Sequence, residues 1–322
     1  MSSAMRELVR QPLVTTGLLA STFLVSLMNS GCVGGLDQPT LVKTPRILNI
    51  IARTPESMPG EDIEVGVIAY APEDPTGASL TYRWRMCDSL PRVLRAAQIP
   101  LDTTMLGSSE CFVLSDQTGP TATLPGARTM RLADTIRAIA AADPRAGFLG
   151  AVLDTAGIPF EVEVDVLSAS GDVLVTGKKI IAIGTRTVPP LTTNPPPVPF
   201  SIDDQDIAMS PDLFNHACIP LGGPIRIQAG AEVEVAPIAG AEWTESFPIY
   251  DFSGRIRLGT ENEYYSFYAT DGSISEETSR PPNRAIQFRA PNAPGSLRFW
   301  MIVRDGHLGG RGCFIDIEVT AR

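Results

Sequence analysis

Histidine is nearly missing from this chain: His216 and His307 are the only two in 322 residues. A Ser-His-Asp or Cys-His catalytic set would need one of them. Neither lies near a nucleophile in a motif such as GxSxG, and both fall in stretches that read as exposed turns or loops, "LFNHAC" and "RDGHLGG". Basic surplus is also lacking. The formal net charge is −10 with a pI near 4.8, which disfavours nucleic acid as a partner because counterion release needs clustered Lys and Arg. There is no CxxC pair, so a zinc site is poorly served. No phosphate loop or dinucleotide fingerprint appears, and no stretch singles out a pair of carboxylates for glycosidase chemistry. The expectation is a protein that is not an enzyme and carries no cofactor.

Charged residues are scarce at 19%, while Gly and Pro number 28 each. That balance favours short strands and many turns over long helices. The length suits about two domains at roughly 150 residues each.

Period-2 alternation then recurs along the body. "DIEVGVIAY" places Ile63, Val65, Val67 and Ala69 on one face, "LTYRWRMC" places Leu80, Tyr82, Trp84 and Met86, and "PFEVEVDVL" sets Phe160, Val162, Val164 and Val166 against Glu161, Glu163 and Asp165. Such strands bury one face and belong to antiparallel sheets. "GDVLVTGKKIIAIG" closes this first domain, 45–186. An insertion at about 88–158 shows weak strand signal, and within it Leu132, Ile136 and Ile139 recur at helical spacing until Asp143-Pro144. A helix there would cap the end of a sandwich or project towards a partner. "TVPPLTTNPPPVPF" then marks a linker, 187–199, which reads as a stiff extended spacer. The second domain, 200–322, repeats the alternation and ends in a hairpin in which Leu297, Phe299, Met301 and Val303 share a face. Trp300 lies on the opposite face, so either a loop covers that face or it looks outward. Trp243 and Trp300, with Tyr250, Tyr264 and Tyr265, are therefore candidate ligand-facing aromatics for a polysaccharide.

"MPGEDIEVGVIAYAPEDPTGASLTYRWRMC" resembles immunoglobulin-like repeats of bacterial surface proteins, of the polycystic-kidney-disease or cadherin-like kind. Pro59-Gly60, Asp74-Pro75, Gly77, Leu80, Tyr82 and Trp84 stand at the family positions, and "MIVRDGHLGGRGCFIDIEV" is similar to the final hairpin. The resemblance implies an all-β protein of two immunoglobulin-like sandwiches, with Trp84 as a core tryptophan. It also raises calcium at a domain junction, for which Asp203, Asp204 and Asp206 in "SIDDQDI" are the candidates; an acidic linker that is simply solvated is the plainer reading.

The N-terminal stretch has Arg6 and Arg10 before an uncharged apolar run from Pro12 to Met28, a secretory pattern. Asn29-Ser30-Gly31-Cys32 resembles the lipobox of bacterial lipoproteins, with Asn29 departing from the usual aliphatic residue. That resemblance implies a signal peptide over 1–31, diacylglyceryl and acyl (palmitoyl-type) chains on Cys32, and a tether over 32–44. The expected place is a Gram-negative-type outer membrane or cell surface, with an envelope protein or polysaccharide as partner. Five cysteines are an odd number. Setting Cys32 aside leaves Cys87, Cys111, Cys218 and Cys313, for which three pairings exist. The domain division favours Cys87–Cys111 and Cys218–Cys313.

Overall fold

Residues 39–87, 111–238, 243–250 and 255–322 are described by a computed structural model, leaving aside the side chains of Arg145 and Tyr250. The stretch expected to be a signal peptide, Cys32 and the first part of the expected insertion lie outside the described residues.

The first domain runs through β1 (Arg46–Ala52), β2 (Glu56–Ser57), β3 (Ile63–Tyr70), β4 (Thr81–Cys87), β5 (Cys111–Val113) and β6 (Thr121–Leu124). It continues with α1 (Gly126–Ala142), a 3-10 turn (Pro144–Ala146), α2 (Gly147–Leu153), β7 (Ile158–Leu167) and β8 (Val173–Ile183). One sheet has the order β1-β3-β6 and the other β2-β8-β7-β4-β5. The alternating residues do what their period requires: Ile63, Val65, Trp84, Val162 and Val164 fill the space between the sheets, with Trp84 fully buried. Its indole N–H donates to the Gly119 carbonyl at 3.0 Å. Cys87 and Cys111 face each other across β4 and β5 and form a disulfide.

The interval 88–158 is not one insertion. β5 and β6 complete the two sheets, and among the described residues the helical stretch between β6 and β7 is extra. Three- and four-residue strands are too short to show a period, which is why they read as weak signal. α1 lays Leu132, Ala133 and Ile136 onto the first core, so it covers the sandwich. The backbone N–H of Gly126 is capped by Asp62 Oδ1 at 2.7 Å, since Pro125 supplies no side-chain cap.

The second domain comprises β9 (Phe200–Ile202), β10 (Gln205–Ala208), β11 (Ile219–Pro220), β12 (Ile225–Gln228), β13 (Glu232–Pro237), β14 (Ser246–Tyr250) and β15 (Ile256–Thr260). It ends with β16 (Tyr264–Ala269), β17 (Ser273–Ile274), β18 (Thr278–Ser279), β19 (Ile286–Arg289), β20 (Gly295–Arg304) and β21 (Gly310–Thr320). Its sheets are β11-β10-β9-β13-β19-β17 and β12-β21-β20-β16-β18, with β14 and β15 as a separate hairpin. Within them, β9-β13-β19 repeats β1-β3-β6, and β12-β21-β20-β16-β18 repeats β2-β8-β7-β4-β5. In both copies a short strand pairs in parallel with the last long strand. The protein is thus all-β in plan, two immunoglobulin-like sandwiches of one topology, with a helical insertion in the first. Cys218 and Cys313 are bonded across the second core.

A third apolar cluster joins the two. Leu48, Ile51 and Ile68, on the outer face of the β1-β3-β6 sheet, meet Tyr268, Trp300 and Ile302 on the outer face of β16 and β20. Tyr70 and Trp300 meet edge to face with ring centroids 5.0 Å apart. Phe214 wedges in from a loop, and a Cβ at Gly66 would stand 2.5 Å from its ring, so only glycine lets that ring lie on β3. The result is four sheets stacked face to face.

Two expectations about connectors change. The end of the tether is not loose: Val42 donates its N–H to the Ala269 carbonyl, and Ala269 donates to Thr40, so this segment adds to the edge of β16. The Pro-rich segment is not a spacer, because it lies against both sandwiches. Asn194 Nδ2 donates to the Ala52 carbonyl at 2.7 Å, and Arg311 Nε donates to that of Pro195 at 3.1 Å. Proline lacks an N–H but keeps its carbonyl acceptor, so a proline run can still be tied down.

Candidate functional site

The junction beside the apolar cluster holds most of the buried charge. Glu56 and Arg186 are both almost wholly buried. Arg186 Nη1 donates to Glu56 Oε1 at 2.9 Å, and its Nη2 donates to Oε2. The Thr192 N–H donates to Oε2 at 2.6 Å, and His307 Nε2 lies 3.1 Å from Oε1. Burial alone would raise this carboxyl. Hydrogen bonds from His307, Arg186 and Thr192, with the charge of Arg186, outweigh it and hold Glu56 down at about 2. The His307 ring stacks on Phe247 with centroids 3.7 Å apart. One network thus links β2, the proline segment, the β14 strand and the β20–β21 turn.

A second group sits behind it. Glu261 Oε2 accepts the Glu245 N–H at 3.3 Å, and Glu245 in turn accepts the Thr193 N–H at 2.6 Å. Glu261 Oε1 and Asp305 Oδ2 are buried with no partner. Burial, then the neighbouring Asp305 and Glu245, push Glu261 up to about 8. Burial likewise raises Asp305 against the His307 N–H and the charge of Lys179. Lys179 itself is lowered to about 8 by burial, despite Asp305. Glu261 is therefore a neutral acid near pH 7.

On the solvent side of this junction lies a cleft of about 860 Å³ between the sandwiches. β1 and β8 form one wall, and β16, the segment at Arg280 and the β20–β21 turn form the other. Five of its lining residues are cationic and none of its described lining residues is acidic. Arg280 and Arg304 both stand over the Tyr264 ring, at 5.5 and 5.8 Å from its centroid, and Arg46 stands 5.0 Å from that of Tyr268.

The residues singled out from sequence are distributed otherwise. Trp300 is only 1% exposed and sits between the sandwiches, so it faces neither a ligand nor a covering loop; the second sandwich's face is buried by the first. Trp243 is half-buried against the second core, and Tyr265 is buried. Among those whose side chains are described there is no shared exposed platform, and Tyr264 alone borders the cleft. Asp203 and Asp204 occupy a two-residue hairpin turn between β9 and β10, both with positive φ (50° and 61°), the geometry of a type I′ turn. With Asp206 they do not converge into a set of metal-ligating atoms; among the described residues the sole such group contains the bonded Cys87 and Cys111. His307 is not an exposed turn residue but part of the junction network. His216 is held by burial down to about 4. Glu56, Arg186 and the cleft arginines carry no sequence signal, because partners such as Glu56 and Arg186 stand 130 residues apart in no motif.

The chain matches no protein-family model and no curated protein. Several solved structures align with most of it at low likeness. A Corynebacterium diphtheriae protein described as membrane anchored is 12% identical, with 85% of this chain and 58% of that one covered and a TM-score of 0.20. The D0-D1 domain of intimin is 10% identical, with 86% and 96% covered and a TM-score of 0.20. A 1.5-MDa bacterial ice-binding adhesin, in a structure concerned with host cell surface retention, is 10% identical, with 86% and 64% covered and a TM-score of 0.23. The chain thus spans less than two thirds of the first and third of these. At such TM-scores neither fold nor role transfers from them, and the immunoglobulin-like assignment stands on strand order. Among the described residues no helix is long and apolar enough to cross a membrane.

Proposed function

We propose that the protein is an exported lipoprotein, anchored through Cys32 at a Gram-negative-type outer membrane or cell surface. Its stacked sandwiches serve there as a non-enzymatic interaction, adhesion or envelope-scaffold module. The observation that carries this reading is the use of cysteine. Four of the five are consumed pairwise, one bridge inside each sandwich, which suits an oxidising compartment. Cys32 is the remainder, and it stands just past an apolar run within Asn29-Ser30-Gly31-Cys32. Two or more acyl chains there would give stable anchoring where one would not. The non-enzymatic part is supported by both histidines. His307 is bound to Glu56 and stacked on Phe247, and His216 is half-buried and held at about 4, hence neutral at pH 7. Neither is bonded to a hydroxyl or thiol nucleophile among the described residues.

The test of the anchor is a Cys32→Ser variant expressed beside the parent with labelled palmitate. The parent is expected to take up label and pellet with membranes, and the variant to lose both. A variant that still pellets and labels would overturn the anchor. Detergent-solubilised parent is expected to co-purify with a defined envelope component in near-stoichiometric amount; recovery of nothing beyond what an unrelated lipoprotein recovers would overturn the module reading.

A further inference from the structure

The cleft between the sandwiches is the feature least explained by folding. On a chain of formal charge −10, it gathers Arg46, Lys178, Lys179, Arg280 and Arg304 with no acidic residue in its described lining. Lys178 is matched by Glu161 and Glu163 outside the cleft. Arg304, in contrast, directs its donors to neutral acceptors, Ser266 Oγ at 3.0 Å and the Leu48 carbonyl at 2.8 Å. These bonds aim the guanidinium into the gap between the two outer sheet faces without cancelling its charge. Arg280 is exposed and lies over the same Tyr264 ring, so both guanidinium groups border the cleft. Like charges gathered in a cleft with low-dielectric walls focus field and attract counter-ions of opposite sign.

The rest of the lining is informative about the ligand. The volume, about 860 Å³, is several times that of one small oxyanion and matches a site for a ligand of a few linked rings. The lining also holds neutral hydrogen-bonding side chains, Asn262, whose Nδ2 donates to the Thr260 carbonyl, and Asn49. Asn49 is buried, and its Nδ2 has no partner in the protein. Ile47 and Leu308 add aliphatic surface to the lining. Charge, a free buried amide and small apolar surfaces in one cleft suit a sugar chain carrying acidic substituents. A bare polyphosphate would use the cations alone.

We propose that this cleft binds an anionic oligosaccharide, its acidic groups on Arg46, Arg280 and Arg304 and its hydroxyls on the neutral side chains. The inference rests on the interaction-module reading and names the ligand class for it. Because the sandwiches supply opposite walls, the site exists only while they are stacked.

The test is calorimetric titration of the parent protein with four probes: a sulfated heparin hexasaccharide, a carboxylate-only galacturonate hexasaccharide, neutral cellohexaose and inorganic tripolyphosphate. At least one acidic hexasaccharide is expected to bind, and which one binds identifies the acidic group. Affinity should fall with added salt and drop at least about tenfold in Arg280→Glu and in Arg46→Glu. Arg280→Lys should retain most of it. Circular dichroism melts of each variant separate loss of binding from loss of fold. No binding of either acidic hexasaccharide, equal binding of cellohexaose, or undiminished binding by both charge-reversed variants would overturn the proposal. Tripolyphosphate binding as tightly as the better hexasaccharide would overturn its sugar component. The Cys32→Ser outcome is independent of all of these, so failure of the cleft and failure of the anchor are read separately.

Discussion

Removing Glu56 should unfold more of this protein than removing any single surface charge. The carboxylate is 2% exposed and the guanidinium it faces is 4% exposed. Glu56→Ala leaves Arg186 as a buried cation with no opposing charge, a change that costs about 3–5 kcal/mol where it has been measured. It also strips the Thr192 N–H and His307 of their acceptor. Against a total stability of about 5–15 kcal/mol the loss is large. The assay is urea unfolding at pH 7 followed by far-ultraviolet circular dichroism, comparing midpoints at constant slope. Glu56→Gln should fall between parent and Ala, because the amide oxygen still accepts one N–H but brings no charge. Glu56→Leu combined with Arg186→Met should recover only part of the loss. Arg186 also donates to the Pro189 and Pro190 carbonyls, and the double variant leaves those without their donor. A Glu56→Ala protein within about 0.5 kcal/mol of the parent, the range of ordinary surface substitutions, would refute the reasoning.

Two further outcomes follow from the same junction and from the helix start. Glu261 titrates near 8 in the folded protein against an ordinary 4.5, so the folded state keeps a proton that the unfolded chain has already released. Its contribution is therefore fully present below pH 4.5 and is lost as pH rises to about 8, by roughly 3–5 kcal/mol. His216, held at about 4 against an ordinary 6.5, adds stability with rising pH and offsets this term below about pH 6.5. Parent urea midpoints should therefore fall between about pH 6.5 and 8 and stay flatter there in Glu261→Gln; a parent profile flat over that range would contradict it. Gly126 begins α1 with no room for a side chain, since a Cβ would lie 2.2 Å from the Gly60 carbonyl oxygen. Gly126→Ala should destabilise by about 1–3 kcal/mol despite alanine's better helix propensity, and an unchanged or raised melting temperature would show that the backbone there can give.

Each sandwich on its own was largely legible in the sequence, while the junction between them was not. Val162, Val164 and Trp84 announce their buried face because a strand's period is two, and Pro144, with no N–H to continue the helix ladder, marks the end of α1. Trp300 is instructive in the other direction. "FWMIV", Phe299–Val303, is apolar on both faces, the pattern of a strand covered on both sides; weighing that run rather than its alternation would have placed Trp300 inside. β1 carries the same mark in Ile47, Leu48, Ile50 and Ile51. Asp165 misled in the opposite sense. It alternates as a solvent-facing residue, yet it is buried by Arg83, Arg85 and Thr176, which donate to it from both neighbouring strands. The cleft had no local pattern to read because stacking brings its walls together, and Glu56 meets Arg186 only through the parallel pairing of β2 with β8, 130 residues apart in the chain.

The stacking is the claim on which the junction, the cleft and its ligand all depend, and Trp300 reports on it directly. The chain has three tryptophans, Trp84, Trp243 and Trp300, so a Trp84→Phe, Trp243→Phe variant leaves one fluorophore on the face where the sandwiches meet. With the sandwiches stacked, Trp300 emission is expected to be blue-shifted and shielded from acrylamide, changing only in the main urea transition. Red-shifted emission quenched as readily as free indole, in a protein whose circular dichroism is that of the parent, would mean that the two sandwiches stand apart.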